Sequence, residues 1–375
     1  MNIIASSPQG LENQLAEEIA NLGGQNIQIK RRYVSFQSNY ETFYNLHFYS
    51  RIAFRFYREI ARFPCFTKEN LYQGVQTSFE WLQWLPPNKS FCVQVSGRSK
   101  LLNHSYFNAL QVKNSIVDLQ KSIMGKRSNI SIEDPYLIIH LHINSKEAIL
   151  SLQSTAESLH KRGYRPSIGN APLKENLAAG LIQITKWDGL TPLIDIMCGS
   201  GTFLIEGAEQ ILNRPLPFKK KYLFENWVDF DMDLFNKVKS NIKKDAFNNV
   251  KLTKIIGCEI SNDVFHQAKE NINLANLSEL IDIYNIDFSK LNINSQRGMI
   301  VCNPPYGKKL GKEKQKLIDL YKKIGSSLKE KFSGWEFWLL SGNPELTQYL
   351  RMRSSLKIPV SNGGIDCRWI KYEIR

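Results

Sequence analysis

The sequence predicts an α/β protein in which a doubly wound parallel sheet follows a smaller α+β region. Short apolar segments with strand character alternate with helical segments over roughly 150 residues of the second half, which is typical of a parallel sheet with crossover helices. The first half contains both element types without this alternation. With 375 residues, of which 42% are hydrophobic and 22% charged, the chain is long and apolar enough for about two or three folded domains.

Helices and strands of the first half are predicted from the spacing of apolar residues. Leu11–Leu22 repeats apolar residues at intervals of three to four, as an amphipathic helix does, and Phe91–Val95 alternates apolar and polar side chains, as a half-buried strand does. Pro86 and Pro87 end the helix before this strand. Helices are predicted at Leu11–Leu22, Tyr40–Tyr49, Leu71–Leu85 and Tyr106–Ile123, and strands at Tyr33–Phe36, Phe91–Val95, Leu137–Ile143 and Ala148–Leu152.

The second half begins after residues 154–172, which are punctuated by Gly, Pro, Ser and Asn and are interpreted as a linker. Residues 213–250 are polar and rich in aromatic side chains, and we predict them to be an excursion from the alternating pattern. Helices are predicted at Lys174–Thr185, Thr202–Leu212, Val264–Ala275 and Leu317–Phe332, and strands at Leu193–Ile196, Ile255–Glu259, Ile281–Ile286, Met299–Cys302 and Glu336–Leu340.

The charge of the chain points to a polyanionic partner. Lys and Arg number 49 against 35 Asp and Glu, which gives a formal net charge of +14 and a pI near 9.4. The excess is spread over both halves of the chain rather than confined to a tail. This distribution favours nucleic acid over a small acidic metabolite as the partner.

Cysteine spacing and hydropathy indicate the compartment. The six cysteines are scattered without a CxxC pair, which argues against a zinc knuckle or a disulfide framework and favours a reducing compartment. The N-terminus lacks a basic segment followed by an apolar one, and no run of about 18 apolar residues is present. We therefore expect a cytoplasmic protein with no membrane segment and no bound metal.

A glycine-containing turn lies between an apolar strand and a helix, where doubly wound sheets bind ligands. The segment is Asp195-Ile-Met-Cys-Gly199-Ser-Gly201-Thr202. Glycine lets the backbone turn tightly and approach a ligand, and the start of the helix favours an anion. The segment does not match a dinucleotide fingerprint because Leu204 replaces the third glycine, and it lacks the Gly-Lys-Ser/Thr of a Walker A loop.

This segment resembles the S-adenosylmethionine loop of Rossmann-like class I methyltransferases, in which an acidic residue ends the first strand before G-x-G. The resemblance implies S-adenosylmethionine as the cofactor. Glu259, at the end of the next strand, would bind the ribose hydroxyls. Asp287, after the third strand, would accept the adenine amine, with Phe288 beside the ring. The implied cofactor-binding residues are Asp195, Met197, Cys198, Gly199, Ser200, Gly201, Thr202, Glu259, Asp287 and Phe288.

The tetrapeptide Asn303-Pro304-Pro305-Tyr306 follows the fourth strand and resembles the motif of methyltransferases that act on exocyclic amines of bases. An aryl amine is a poor nucleophile because its lone pair is delocalised. Hydrogen-bond acceptors at the Asn303 oxygen and the Pro304 carbonyl would favour a pyramidal amine, and the prolines fix this backbone. Tyr306 would stack on the flipped base. All four are predicted to be catalytic, whereas Cys302 is expected to be buried rather than a carbon-methylating nucleophile.

Longer segments resemble the THUMP-containing guanine-N2 methyltransferases of 23S ribosomal RNA. These segments are Leu159–Arg165, Ala171–Ala179, Asp195–Glu206, Asn303–Gly307 and Ile358–Arg368, the last being similar to a closing β-hairpin. The chain departs from the family at Ile196, where proline is usual. The resemblance covers nearly the whole chain and implies a ferredoxin-like segment at 1–60, a THUMP RNA-binding domain at 61–153, the linker at 154–172 and a methyltransferase domain at 173–375.

Basic residues near the linker and the Asn-Pro-Pro-Tyr motif are the predicted RNA contacts, namely Lys161, Arg162, Arg165, Lys308 and Lys309. The resulting hypothesis is S-adenosylmethionine-dependent methylation of guanine N2 in 23S ribosomal RNA. Three alternatives stay open at this point. The first is a tRNA guanine-N2 methyltransferase, and the second is an adenine-N6 methyltransferase of RNA or DNA. The third is a catalytically silent THUMP protein that binds RNA or assists ribosome assembly.

Overall fold

Two β-sheets organise the chain, one in each half. The computed structural model describes residues 1–165, 173–217, 220–245, 253–306 and 312–375. An eight-stranded sheet lies in the first half and a seven-stranded sheet in the second. The predicted α+β region followed by a doubly wound sheet is therefore confirmed. Within the described ranges, no helix combines the length and the apolar character needed to cross a membrane.

One continuous sheet is built from β1 (Asn2–Ser6), β2 (Gln25–Lys30), β3 (Tyr33–Gln37), β4 (Arg55–Pro64), β5 (Ser90–Gly97), β6 (Asn129–Ile130), β7 (Leu137–Ile143) and β8 (Glu147–Gln153). Its strand order is β2-β3-β1-β4-β8-β7-β5-β6. β4 pairs antiparallel with β1 on one side and with β8 on the other. The boundary predicted at residue 60 thus falls inside a strand that joins the two N-terminal regions.

The helices of residues 1–165 are α1 (Glu12–Asn21), α2 (Tyr40–Tyr49), α3 (Lys68–Thr77), α4 (Trp81–Trp84) and α5 (Ser105–Met124). The single helix predicted over Leu71–Leu85 is wrong, because α3 and α4 divide this segment. α3 begins at a capping box formed by Thr67 and Asn70. The indole N–H of Trp81 donates to the carbonyl of Val75 at 2.6 Å, which holds α4 against the end of α3.

The second sheet is built from β9 (Leu193–Asp195), β10 (Ile255–Cys258), β11 (Ile281–Tyr284), β12 (Met299–Cys302), β13 (Glu336–Ser341), β14 (Ser354–Asn362) and β15 (Ile365–Glu373). Its order is β11-β10-β9-β12-β13-β15-β14. The first five of these strands run parallel, and β15 pairs antiparallel with β13 and β14. The strand order reverses between β9 and β12, which is the position where open α/β sheets bind ligands.

The helices of the second half are α6 (Glu175–Thr185), α7 (Thr202–Ile211), α8 (Met232–Asp245), α9 (Asn262–Leu274), α10 (Lys312–Lys331) and α11 (Pro344–Thr347). α8 lies within the excursion predicted at 213–250 and is a helix that the sequence pattern did not predict. Its Phe235, Val238 and Ile242 follow helical spacing and are buried. The Phe235 ring stacks on Phe48 of α2, so this excursion packs against the first half of the chain.

A buried ion network joins the two halves where a linker was predicted. The carboxylate of Glu206 on α7 lies 3.5 Å from the guanidinium of Arg162 and 4.0 Å from that of Arg51. The Tyr164 hydroxyl donates to the same carboxylate at 3.1 Å. Glu206 is fully buried and Arg162 is 5% exposed. Residues 154–165 are therefore packed structure, and residues 166–172 of the predicted linker lie outside the described residues.

Candidate active site

Four polar side chains stand at the carboxyl ends of four adjacent parallel strands. Asp195 ends β9, Glu259 follows β10, Asp287 follows β11 and Asn303 follows β12. Since these strands are neighbours in the order β11-β10-β9-β12, the four residues lie along one edge of the sheet. The topology thus brings together the acidic residues and the Asn-Pro-Pro-Tyr motif that the sequence analysis singled out.

The glycine turn after β9 has the backbone conformation that its residues permit. Gly199 has φ +53° and Gly201 has φ +81°, both in the left-handed region that other residues rarely adopt. A Cβ atom built on Gly199 would meet no heavy atom within 4 Å, so open space lies beside this residue. α7 begins directly after Gly201, which makes no side-chain cap. The turn and the start of α7 therefore lie beside open space, where unpaired backbone N–H groups of a helix start favour a polar ligand.

Glu259 links this turn to the end of β10. One carboxylate oxygen accepts the backbone N–H of Gly199 at 3.1 Å, and the other accepts that of Ser261 at 2.8 Å. The side chain is partly exposed. Each carboxylate oxygen has two acceptor positions, so the group can bind further hydroxyl donors while it keeps both backbone contacts.

Asp195 lies beneath the turn rather than in the open crevice. It is 2% exposed, and its carboxyl accepts the backbone N–H of Met197 at 3.2 Å. Burial raises the pKa of Asp195 to about 8, the Met197 N–H lowers it, and the nearby charge of Glu259 raises it further. Asp195 therefore shapes the turn from below, and its position does not favour the direct ligand contact that the family resemblance implied.

Asp287 is held by three hydrogen bonds at the end of β11. Its carboxylate accepts the backbone N–H and the hydroxyl of Ser289 at 3.0 and 2.7 Å, and the ammonium group of Lys323 lies 2.5 Å away. Partial burial acts to raise the pKa of Asp287, but these bonds outweigh it and the pKa is lowered. The same ammonium group lies 5.7 Å from the centre of the buried Phe288 ring. Asp287 is thus an ionised acceptor of fixed orientation.

The Asn-Pro-Pro-Tyr segment is anchored by the C-terminal part of the sheet. The Tyr306 hydroxyl donates to the side-chain oxygen of Asn303 at 2.7 Å and accepts the amide N–H of Asn362 at 2.9 Å. The Asn343 amide donates to the backbone carbonyl of Tyr306 at 3.4 Å. A Cβ atom on Gly342 would lie 3.1 Å from the Tyr306 ring, so the ring packs against this glycine. Asn303 and Tyr306 are both partly exposed.

The ten residues predicted to bind the cofactor divide by exposure. Those with partly exposed positions are Met197, Gly199, Ser200, Glu259 and Asp287, and those that are buried are Asp195, Cys198, Gly201, Thr202 and Phe288. Burial raises the pKa of Cys198, which keeps it a neutral thiol. Cys302 is fully buried on β12, so the expectation that it is buried is confirmed.

Two of the predicted RNA contacts, Arg162 and Arg165, form contacts inside the protein. The Arg162 side chain is 4% exposed, forms an ion pair with Glu206, and donates to the carbonyls of Leu159 and Arg51, so it faces the interior of the protein. Arg165 is also engaged internally, since it bonds to the hydroxyl of Thr202 and lies 3.5 Å from the Glu175 carboxylate.

The other predicted RNA contacts are Lys161, which is exposed, and Lys308 and Lys309. Lys161 is exposed and pairs with Glu157 at 3.2 Å, so its side chain is open to an anion. Lys308 and Lys309 lie outside the described residues.

Several residues that fix the site carry no local sequence signal. Asn271 on α9 donates to the carbonyl of Ser200 at 3.0 Å, Lys323 reaches Asp287 from α10, and Asn362 reaches Tyr306 from β14. Their partners lie 71, 36 and 56 residues away along the chain. Only the folded topology places these side chains at the site.

The site offers acceptors for hydroxyl and amine donors rather than ligands for a metal. Glu259 and Asp287 are partly exposed carboxylates at successive strand ends, and open space lies beside Gly199. Both carboxylates can therefore accept hydrogen bonds from hydroxyl or amine groups of a ligand. Among the residues that the structure describes, no group of three or more His, Cys, Asp or Glu side chains is placed to hold a metal ion.

Comparison with known families gives matches over most of the chain. Residues 162–371 match the RMKL-like methyltransferase domain, residues 2–57 match the RlmL ferredoxin-like domain, and residues 67–153 match the THUMP domain. Among solved structures, SMU.472, crystallised with S-adenosylhomocysteine (SAH), is similar with a TM-score of 0.88 at 25% identity. A protein of Clostridium difficile 630 described as a possible methylase has a TM-score of 0.91 at 27% identity. Each alignment covers 100% of this chain and 98% of the other.

Curated relatives agree with these matches. A protein of Synechocystis sp., provisionally named an RNA methyltransferase, is 36% identical over 99% of this chain and 96% of its own length. The ribosomal RNA large subunit methyltransferase K/L of Vibrio parahaemolyticus is 36% identical over 99% of this chain, which spans 53% of that relative. That of Methylococcus capsulatus is 34% identical, and the chain spans 51% of it. The chain therefore belongs to the family of RMKL-like methyltransferase domains.

Proposed function

We propose that this protein transfers a methyl group from S-adenosylmethionine to the exocyclic N2 amine of a guanine in 23S ribosomal RNA. The observation that carries the proposal is the position of Asn303. It follows β12, directly beside the glycine turn that follows β9. Asn303 can accept a hydrogen bond from the substrate amine, and the glycine turn on the neighbouring strand end can hold the cofactor. Two reactants held in line in this way react faster, because positioning supplies much of the rate in group transfer.

The cofactor cradle is proposed to run from the glycine turn to the end of β11. The N–H groups of Gly199 and Gly201 already donate to Glu259 and to the carbonyl of Cys198, so other backbone N–H groups of the turn and of the start of α7 would bind the methionine part. The free acceptor positions of Glu259 would bind the ribose hydroxyls. Asp287, kept ionised by Lys323, would accept the adenine amine. S-adenosylmethionine supplies a methyl group on a positively charged sulfur, which makes the methyl carbon electrophilic. SMU.472, whose structure contains SAH, supports this assignment.

The Asn-Pro-Pro-Tyr segment would prepare the amine. The side-chain oxygen of Asn303 and the carbonyl of Pro304 would accept its two hydrogens, so that the nitrogen lone pair becomes more available. Pro304 is buried and Pro305 is exposed, and the two rings fix the backbone between these acceptors. The partly exposed ring of Tyr306 would stack on the extruded base. A strong general base is not required, because the amine becomes acidic as it is methylated.

RNA as the substrate class is supported by charge and by exposed aromatic side chains in the first half. Tyr106 and Phe107, at the start of α5, are 70% and 53% exposed. Arg98, Lys100 and His104 are exposed in the preceding segment. Exposed rings beside cationic groups are typical of surfaces that bind single-stranded RNA. The K/L relatives are named for the large ribosomal subunit, which supports 23S ribosomal RNA within this class.

The test is to incubate the purified protein with methyl-labelled S-adenosylmethionine and large-subunit ribosomal RNA from a strain that lacks its gene. Nucleosides from the digested RNA are then separated and identified by mass spectrometry. Labelled N2-methylguanosine is expected, and its rate of formation should fall by about 100-fold or more with the Asn303→Ala variant, which is the matched control. tRNA from the same strain serves as the competing substrate.

Each of the other possible results of this experiment would support one of the alternative functions. Label in N6-methyladenosine would show that the Asn-Pro-Pro-Tyr segment acts on adenine. Labelled N2-methylguanosine in tRNA rather than in ribosomal RNA would show that the substrate is tRNA and that the proposed reaction is correct. Binding of RNA with no label in any nucleoside would identify a catalytically silent RNA-binding protein.

A further inference from the structure

The C-terminal hairpin delivers an amide side chain to the Asn-Pro-Pro-Tyr segment. Asn362 is the last residue of β14, and it pairs with Ile365, the first residue of β15. Gly363 and Gly364 form the turn between them with φ +59° and +84°. Two successive positive φ values are the requirement of a tight type I′ turn, which glycine meets without strain. The turn therefore fixes the place of Asn362 beside Tyr306.

The hydrogen bonds at this place have a defined direction. The amide nitrogen of Asn362 lies 2.9 Å from the Tyr306 oxygen, and this oxygen lies 2.7 Å from the side-chain oxygen of Asn303. An amide nitrogen can only donate, and a hydroxyl group has one proton. Because the hydroxyl oxygen accepts from Asn362, its proton is directed to Asn303. The Cys367 thiol also faces this hydroxyl, but sulfur is a weak acceptor compared with an amide oxygen.

We propose that Asn362 is a positioning residue for methyl transfer, because it commits the proton of Tyr306 to the side-chain oxygen of Asn303. The bond holds the Asn303 amide with its oxygen toward the site and its nitrogen away. An amide oxygen accepts two hydrogen bonds, so one acceptor position stays available for the substrate amine. Asn362 thus acts on the chemical step through Tyr306, without contact with the amine. This inference rests on the proposed function of Asn303.

The segment has other anchors, so the contribution of Asn362 is specific to the hydroxyl group. Asn343 holds the Tyr306 backbone carbonyl, and Gly342 packs against the Tyr306 ring. Removal of the Asn362 donor should therefore leave the backbone path in place. The expected consequence is a loss in kcat with little change in the KM for RNA or in the affinity for the cofactor.

The decisive variant is Asn362→Asp, which keeps the shape but replaces the donor with an acceptor. At pH 8 the carboxylate would accept the Tyr306 proton, and the Asn303 oxygen would lose its donor. We expect kcat to fall by about 10-fold or more, with unchanged KM and unchanged affinity for SAH. The loss should vanish in the Tyr306→Phe background, where no hydroxyl proton exists to be redirected. A wild-type kcat for Asn362→Asp, or an equal loss in both backgrounds, would overturn the proposal.

A second pair of variants keeps the test independent of folding defects in Asn362→Asp. Asn362→Ser retains a donor near Tyr306 and should keep more activity than Asn362→Ala, which has none. Equal rates for Ser and Ala would contradict the proposed direction of the bond. Rates are measured as SAH release with the RNA used above, and the methylated nucleoside is identified separately for the wild type. A methylated nucleoside other than N2-methylguanosine would revise the proposed function. The ratios of kcat between the Asn362 variants and the wild type test the proposed role of Asn362 separately.

Discussion

The carboxylate of Glu259 accepts a hydrogen bond from the backbone N–H of Gly199 at 3.1 Å, across 60 residues of sequence. This hydrogen bond joins the end of β10 to the glycine turn after β9. The partly exposed carboxylate therefore has two functions that can be separated, since it supports the turn and offers free acceptor positions to a ligand.

The Glu259→Ala variant should bind SAH about 2–4 kcal/mol more weakly, because two charge-assisted hydrogen bonds to the ribose would be lost. Glu259→Gln keeps an acceptor for the Gly199 N–H and should show a smaller loss. Calorimetric titration with SAH measures both. Cys258→Ala, on the adjacent buried position, is the control for a general disturbance of β10. An affinity that is unchanged in Glu259→Ala would remove this residue from the cofactor site.

The Asn303→Ala variant should lower kcat by about 100-fold or more, which is the scale for one preorganised polar contact in a transition state. The affinity for SAH should hardly change, because Glu259 and Asp287 are intact. Single-turnover kinetics at saturating S-adenosylmethionine measures the chemical step. Methylation at the wild-type rate would show that the Asn303 oxygen does not prepare the amine.

The sequence predicted the strand ends of the site because their signal is local. Gly199 and Gly201 adopt the positive φ values that only glycine takes easily, and Glu259 and Asp287 each follow a short apolar strand. The long-range partners were not predictable in this way. Lys323 is one of several lysines on α10, and nothing in its neighbourhood marks it as the one that meets Asp287.

Other differences between the predicted and the observed structure have physical causes as well. The basic segment around Arg162 predicts an RNA contact, yet this residue pairs with Glu206, which is 44 residues away and buried. α8 was not predicted because the polar, aromatic-rich composition of residues 213–250 outweighed the helical spacing of its three buried apolar residues. β1 and β2 were not predicted because short segments such as Asn2–Ser6 carry a weak alternation that only pairing in the sheet makes stable.

Arg162 and Lys161 are adjacent in sequence but should respond differently to substitution. Arg162→Ala would leave the buried Glu206 carboxylate with the more distant Arg51 as its cation, and removal of one partner of a buried pair destabilises a protein by about 3–5 kcal/mol. Lys161→Ala breaks only an exposed pair with Glu157, which contributes about 0–1 kcal/mol. Urea unfolding measures both. Comparable losses in the two variants would show that the ion network around Glu206 does not stabilise the contact between the two halves of the chain.

Lys161 also provides a test of RNA contact that does not depend on stability. If its exposed ammonium group meets a phosphate, Lys161→Ala should reduce the slope of log affinity against log salt by about one unit at most. Filter binding of ribosomal RNA at four salt concentrations gives this slope. An identical slope for the variant and the wild type would leave Lys161 as a surface residue paired with Glu157.

The last prediction concerns pH and Asp195. Burial raises the pKa of this carboxyl from 3.8 to about 8, so between these values the unfolded chain releases a proton that the folded cofactor-free protein keeps. Stability must therefore fall as pH rises from about 4 to about 8, by at most about 1.4 kcal/mol per pH unit from this group. Glu18, whose pKa burial raises to about 7, acts in the same direction over a narrower range. His47, whose pKa burial lowers to about 3, acts oppositely below pH 6.5.

The Asp195→Asn variant separates this contribution from the other two, because it cannot ionise. The free energy of unfolding of the cofactor-free protein is measured in urea at intervals from pH 5 to pH 8 for the wild type and for this variant. The wild type should lose stability relative to the variant throughout this range. With Glu18→Gln as the control, the relative loss should instead level off near pH 7, since the folded-state pKa of Glu18 is lower. A constant difference between wild type and Asp195→Asn would mean that Asp195 is ionised beneath the glycine turn, and its carboxylate would then be available to a ligand after all.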